Sequence, residues 1–189
     1  MIVPIGVSNR HVHLTKETYQ KLFGKDELTK IKDLNQPGEF ASSDVVTVKS
    51  AAGEIEKVRI LGPFRSYDQV EISRTDSYKL KLNPPVRKSG SVSGSEPVTL
   101  VGPAGEVELS EGLIIANRHL HMTTQMANEL GVVEDQVFTV TVNNTDKKGS
   151  FEVFTKILDA AYFEVHIDTD DANGFLLSQD AEVEINIEK

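Results

Sequence analysis

The chain contains no cysteine. That absence excludes disulfides, thiolate metal ligands and a cysteine nucleophile, so any metal must be held by histidine, carboxylate or solvent. Long hydrophobic runs are missing as well, and no stretch approaches the roughly 18 apolar residues of a membrane span. The opening residues, Met1 to Val7, lack a basic region followed by a long apolar one, so no signal peptide is expected and the cytoplasm is the expected compartment. Basic runs longer than two residues are also lacking, and the formal net charge is −9. Neither nucleic acid nor an anionic membrane is therefore an expected partner. An anionic small-molecule substrate would need positive charge gathered locally, by a few arginines or by metal ions.

What is present is an ordinary globular composition, 39% apolar and 26% charged over 189 residues. That length supports one large domain or two small ones, with a core that needs no covalent staples. The chain is also written twice. Ser8-Asn9-Arg10-His11-Val12-His13-Leu14-Thr15 returns as Ala116-Asn117-Arg118-His119-Leu120-His121-Met122-Thr123. Thr15 and Thr123 suit helix N-caps, Tyr19, Leu22 and Phe23 and then Met126, Ala127 and Leu130 give short apolar stripes, and Gly24 and Gly131 supply the stops.

The remainder reads as paired strands. Val45 to Val48 parallels Val137 to Val140, and each is followed by a polar turn, Ala52-Gly53 in one copy and Asn143 to Asp146 in the other. Val58 to Leu61 parallels Phe154 to Leu158, and Val70-Glu71-Ile72-Ser73 parallels Val165-His166-Ile167-Asp168. A final strand is expected over Ala181 to Ile187. The expected fold class is mainly β with short helices, as barrels or sandwiches with a helix in each copy. The Pro, Ser and Gly-rich stretch 82–97 reads as a connector, which sets the expected domains at 1–95 and 96–189.

All five histidines, His11, His13, His119, His121 and His166, fall on these repeated motifs. In a strand, residues i and i+2 share a face, so each His-x-His pair presents two imidazoles side by side while Val12 or Leu120 points to the core. Two imidazoles so placed can chelate one divalent ion, and a third protein ligand holds it while leaving a position for chemistry. The repeat offers that third ligand, since Glu71 aligns with His166. The two ligand sets are then His11, His13 and Glu71, and His119, His121 and His166; both suit zinc.

With these motifs in order, the chain resembles the PduL-type phosphotransacylases, also called phosphate propanoyltransferases. The resemblance extends to Lys32 through Ala41 (KDLNQPGEFA), Leu61-Gly62-Pro63-Phe64-Arg65 and Val165 through Asp170 (VHIDTD), essentially end to end. It implies two β-barrel domains related by approximate two-fold symmetry around a site with two Zn2+ per chain. It also implies exchange of an acyl group, propanoyl or acetyl, between coenzyme A and inorganic phosphate. By resemblance Arg65 contacts phosphate, and Lys32, Arg59 and Asn173 contact coenzyme A. Two places depart from the usual pattern: Arg87-Lys88-Ser89-Gly90-Ser91, where the last position is often Asp, and Asp170 to Gly174, where Asp-Glu-Ala-Asn-Ala is usual. Both departures bear on local contacts and leave the presumed ligands untouched. Relatives packaged in bacterial microcompartments carry an amphipathic N-terminal extension, and the short segment before Ser8 implies a cytoplasmic enzyme without one. A homo-oligomer is left open.

Two other readings compete. Gly6, His11, His13, Glu17 and Gly24 approximate a cupin pattern, which would make the chain a mononuclear metal oxygenase or isomerase. Against it, the second copy has Gln125 where Glu17 stands, and Glu17 sits in the first turn of an expected helix, where the helix dipole favours an acid. A cupin also leaves the patterned residues of the second copy unexplained. The other reading is a non-catalytic protein braced by zinc, but structural zinc sites are normally closed by four protein ligands, and three are counted here.

Overall fold

The protein is described by a computed structural model covering residues 1–144 and 146–187. Thr145, in the turn expected after the second copy's first strand, lies outside the described residues. The elements run β1 (Ile2–Ser8), β2 (His11–His13), α1 (Lys16–Phe23), β3 (Lys30–Asp33), β4 (Phe40–Lys49), β5 (Glu54–Gly62), β6 (Gln69–Glu71), α2 (Arg74–Leu80) and β7 (Val86–Arg87). Then come β8 (Glu96–Val101), β9 (Glu106–Ala116), β10 (His119–Thr123), α3 (Thr124–Leu130), β11 (Val137–Asn143), β12 (Lys148–Leu158), β13 (Glu164–Asp168), α4 (Thr169–Phe175) and β14 (Glu182–Ile185).

The strands close two six-stranded barrels. In one, the order is β4-β5-β2-β6-β9-β8, with β8 pairing back onto β4 while β3 and β7 flank it. In the other, the order is β11-β12-β10-β13-β1-β14, with β14 pairing back onto β11. Position by position the two circuits match, so the duplication read from the motifs is a duplication of topology. Full closure removes the unpaired edges that an open sheet would leave.

The division between the units is not the one expected at residue 95. One compact unit is Arg10–Ala116, and the other joins Met1–Asn9 to Asn117–Lys189. The cause is an exchange of leading strands between the repeats. β1 runs parallel to β13, with Ile5 opposite Val165 and Gly6 opposite His166, and β9 runs parallel to β6, with Glu71 opposite Ile114. With the repeats divided between β8 and β9, as the matching circuits require, each barrel takes one strand from the other repeat. The segment 82–97 stays inside the first unit, where β7 pairs with β9.

Each barrel has its own core. Val12, Leu14, Ile60, Val70, Leu100 and Leu113 anchor one, and Ile5, Leu120, Met122, Val140, Val165 and Ile185 the other. The period-2 alternation of the strands sends these side chains inward and leaves the histidines on the opposite face.

The helices obey the local signals. The Thr15 and Thr123 side chains accept from the backbone N–H three residues on, and Gly24 and Gly131 end α1 and α3 in the left-handed conformation that glycine adopts without strain. Two further helices, α2 and α4, follow Glu71 and His166 and were not expected. Ser73 and Asp168 cap them by accepting from the N–H of Asp76 and Asp171. Among the described residues no helix is long and apolar enough to cross a membrane.

Candidate metal centres

In the first barrel, β2 lies antiparallel to β6, with His11 opposite Glu71, Val12 opposite Val70 and His13 opposite Gln69. Pairing in register places side chains on a common face, so the two imidazoles, Glu71 and Gln69 lie together while Val12 and Val70 are fully buried in the core. One donor atom from each of His11, His13 and Glu71 falls within 4.8 Å of the others. The Glu71 carboxylate is oriented by its neighbours. Its Oε1 accepts from Gln69 Nε2 at 2.6 Å and from Ser89 Oγ at 2.8 Å, while its Oε2 lies 3.4 Å from His11 Nε2. One oxygen is held and the other is turned to the imidazoles.

In the second barrel, β10 lies antiparallel to β13, with His119 opposite His166, Leu120 opposite Val165 and His121 opposite Glu164. Here the donors of His119, His121 and His166 fall within 4.8 Å of one another. His119 Nδ1 lies 2.9 Å from the Asn117 carbonyl, which can only accept, so the lone pair of His119 is on Nε2. That atom is 3.1 Å from Nε2 of His121. His121 is buried, and burial first, then the positive charge His119, His166 and Lys156 can carry, pushes its pKa down to about 2. It is therefore a neutral imidazole at ordinary pH, as a metal ligand must be. Its Nδ1, also buried, has no hydrogen-bond partner among the described residues. Tyr162 stacks on His121 with ring centroids 5.4 Å apart, and its hydroxyl sits 2.6 Å from His166 Nε2.

Backbone packing leaves room beside the third member of the second triad. A Cβ on Gly6 would lie 2.1 Å from Glu164 Oε1 and 2.8 Å from the His166 ring. At the matching place in the first barrel, opposite the shorter Glu71, stands Ile114.

The arginine of each Asn-Arg-His-x-His motif fastens its strand to the helix after the third triad member. Arg10 donates to both oxygens of Asp76, at 2.7 and 3.0 Å, and Arg118 donates through Nε and Nη2 to Asp171, at 2.8 and 2.6 Å. The acids occupy matching places, three residues after the caps Ser73 and Asp168. Both donor sets fit a divalent cation. Two imidazoles with one carboxylate, or three imidazoles, leave further coordination positions open, and zinc accepts either set.

The other residues singled out in the sequence are placed as follows. Arg65 follows β5, and its backbone N–H donates to Leu14 O at 2.8 Å, next to the His-x-His strand. Its guanidinium pairs with Glu39 through Nη2, and its Nε is buried with no hydrogen-bond partner among the described residues. Arg59 lies opposite His11 across β2 and β5 and donates to the Ser42 carbonyl. Lys32, on β3, is exposed in the same unit; Asn173, on α4, is exposed in the other. Glu17 points to solvent and pairs with Lys21 at 2.7 Å, which holds its carboxyl below the usual range. It joins neither donor group, so the cupin ligand set is not formed among the described residues.

Sequence reading missed Gln69, Glu164 and Tyr162, assigned Gly6 only to the cupin pattern, and treated Ser89 as part of a connector. The stretch around Ser89 in fact reaches the first centre, with Ser89 on Glu71 and the Gly90 N–H donating to Gln69 Oε1 at 2.7 Å. A signal was there. Tyr67-Asp68-Gln69-Val70-Glu71-Ile72 and Tyr162-Phe163-Glu164-Val165-His166-Ile167 repeat a Tyr-x-(Gln/Glu)-Val-(Glu/His)-Ile pattern longer than the aligned ligands alone.

Comparison with known proteins bears on the same elements. The family model described as phosphate propanoyltransferase matches residues 4–178. A phosphate propanoyltransferase of Thermotoga maritima is 43% identical over 176 residues, which is 92% of this chain and 84% of that protein. One from Priestia megaterium is 48% identical over 177 residues, covering 93% and 82%. Another, from Salmonella typhimurium, is 41% identical over 172 residues, covering 90% and 82%.

Proposed function

The chain belongs to the phosphate propanoyltransferase family and is a phosphate acyltransferase, and on that premise we propose that it moves a propanoyl or acetyl group between coenzyme A and inorganic phosphate at centres that hold two zinc ions per chain. The observation that carries the proposal is the pair of donor triads, His11, His13 and Glu71 in one barrel and His119, His121 and His166 in the other, built in matching register. A zinc ion, when bound, supplies Lewis-acid polarisation and a good partner for a thiolate.

The chain's own residues bind and orient. With no cysteine in the sequence, no acyl group can be parked on a thiol, and direct transfer is the simpler route. An oxygen of phosphate bonds to the thioester carbon, the carbon–sulfur bond breaks, and coenzyme A leaves with the electron pair. Phosphate and coenzyme A are both anionic, and the chain as a whole carries a formal charge of −9. Positive charge must therefore be local. Arg65 suits phosphate because its buried Nε is a donor in want of an acceptor and its planar fork can give paired hydrogen bonds that lysine cannot. Glu39, on Nη2, keeps the guanidinium in place. Gln69 and Ser89 fix the Glu71 carboxylate so that Oε2 is presented to the histidines. Arg59, Lys32 and Asn173 are the proposed contacts for the coenzyme; Arg59 has N–H groups beyond the one given to Ser42.

The test is release of free thiol from propanoyl-CoA or acetyl-CoA in the presence of phosphate. Release that depends on phosphate, stops with chelator and returns with zinc supports the proposal; absence of release with both substrates and full zinc overturns it. Arg65→Ala is expected to lose most of the turnover while keeping both zinc ions. Wild-type turnover in that variant would remove Arg65 from the phosphate site.

A further inference from the structure

Each triad has a polar neighbour two residues before its third member on the same strand face, Gln69 before Glu71 and Glu164 before His166. Both neighbours are buried, Gln69 at 0% exposure and Glu164 at 4%. Both touch the third member, Gln69 Nε2 at 2.6 Å from Glu71 Oε1 and Glu164 Oε1 at 2.8 Å from His166 Nε2. The order of charge is reversed. In one barrel an amide supports an acid, and in the other an acid supports an imidazole. Each barrel therefore places one carboxylate in this pair of positions.

A carboxylate is costly to bury unless it is paired. One group Glu164 meets is His166, and a carboxylate oxygen accepts, so this contact calls for the proton on Nε2 and leaves Nδ1 as the atom His166 would offer a metal. A carboxylate on the second nitrogen of a ligand histidine fixes its tautomer and ring orientation and makes the other nitrogen a better donor. Gly6 guards the contact, since any Cβ there would fall 2.1 Å from Glu164 Oε1. The Tyr162 hydroxyl, 2.6 Å from the same His166 nitrogen, offers that proton a second oxygen.

We propose that Glu164 is the positioning carboxylate of the histidine-only centre, supplying through His166 the negative charge that Glu71 supplies directly in the other barrel. This rests on the reading of the triads as zinc sites. Each zinc ion is then matched by one buried carboxylate, although only one of the two carboxylates belongs to a triad.

The experiment titrates zinc into the metal-stripped full chain against a chromophoric chelator. The wild type is expected to take two ions. Glu164→Gln is expected to keep one at unchanged affinity and to bind the other about 10- to 100-fold more weakly. In a His13→Ala background, which disables the first centre, Glu164→Gln should weaken the remaining ion by the same factor. Glu164→Asp keeps the charge and should lose less than Glu164→Gln. Two ions at wild-type affinity in Glu164→Gln, or equal losses in the Gln and Asp variants, would overturn the proposal. A wild-type chain that binds no zinc would instead overturn the zinc reading beneath it. If Glu164→Gln does not fold, Gly6→Ala, which crowds the same carboxylate, should weaken the same ion, and unchanged affinity there overturns the proposal equally.

Discussion

The two barrels share their circuit of strands, their His-x-His pairs, their threonine caps and their arginine–aspartate clasps, yet they differ at the third member of the triad. The exchange of Glu71 for His166 does not stand alone. It travels with Ile114 for Gly6 on the neighbouring strand and Gln69 for Glu164 on the same strand. The acid moves from the third member to its neighbour on the strand, and the bulk beside the third member changes with it. A donor in a duplicated scaffold is thus set by three positions at once, and a change at one of them alone is expected to be worse than the concerted change the chain displays.

The largest effect is expected from removing one histidine of either centre. Replacing outer partners of a metal typically costs 10- to 100-fold, and replacing a ligand should cost more, so His11→Ala and His119→Ala should each lower turnover by at least about a hundredfold. Bound zinc, measured by elemental analysis, should fall from two ions to one in each variant. Turnover that survives in one variant and not in the other would break the equivalence and assign the chemistry to a single barrel.

Next come the two packing positions, which should fail in opposite ways. Ile114→Ala removes a fully buried side chain and leaves a cavity, at a cost of about 2–5 kcal/mol. Gly6→Ala adds a methyl where a carboxylate oxygen already stands, and overpacking of this kind costs about 1–3 kcal/mol. Denaturant unfolding followed by tryptophan-free probes such as far-UV circular dichroism measures both, and a neutral Gly6→Ala would show that the second barrel has slack its geometry does not display.

The clasps should differ too. Asp76 has only 4% of its side chain exposed and its other cation, Lys79, stands 3.9 Å away, so Arg10→Ala should cost about 2–3 kcal/mol, just under the range for a fully buried pair because Arg10 is itself a third exposed. In the other barrel Asp171 is 19% and Arg118 39% exposed, and solvent screening should bring Arg118→Ala below about 1 kcal/mol. Equal losses in the two variants would contradict the burial difference.

Local chemistry was legible in the sequence. Thr15, Gly24, Thr123 and Gly131 act within a few residues of themselves, and the His-x-His spacing needs only the period of a strand. The mainly β class and the match of Glu71 to His166 followed from alignment of the copies, while the choice of barrels over sandwiches came from the family resemblance. The exchange of β1 and β9 was not legible, because pairing Gly6 with His166 spans most of the chain and has no local signature. For the same reason the boundary near residue 95 cuts through the first barrel. Gln69 and Glu164 could be ranked above other polar residues only once the register of β6 and β13 was known. The helices α2 and α4 were within reach, since Ser73 with Asp76 and Asp168 with Asp171 are capping pairs, but α4 follows its strand at once and α2 follows after two residues, so no loop composition marks either start.

The smallest effect separates the two-centre reading from the cupin pattern. A cupin would draw Glu17 into the set with His11 and His13, and the loss of that acid would then empty the centre. Here Glu17 is on the solvent side of α1, paired with Lys21 one turn away, and the acid beside the histidines is Glu71. Glu17→Gln should therefore leave two zinc ions bound and turnover unchanged, whereas Glu71→Gln should weaken one of the two ions. If Glu17→Gln instead released an ion, the third ligand of the first barrel would come from α1, and the match of Glu71 to His166 on which the comparison is built would fail.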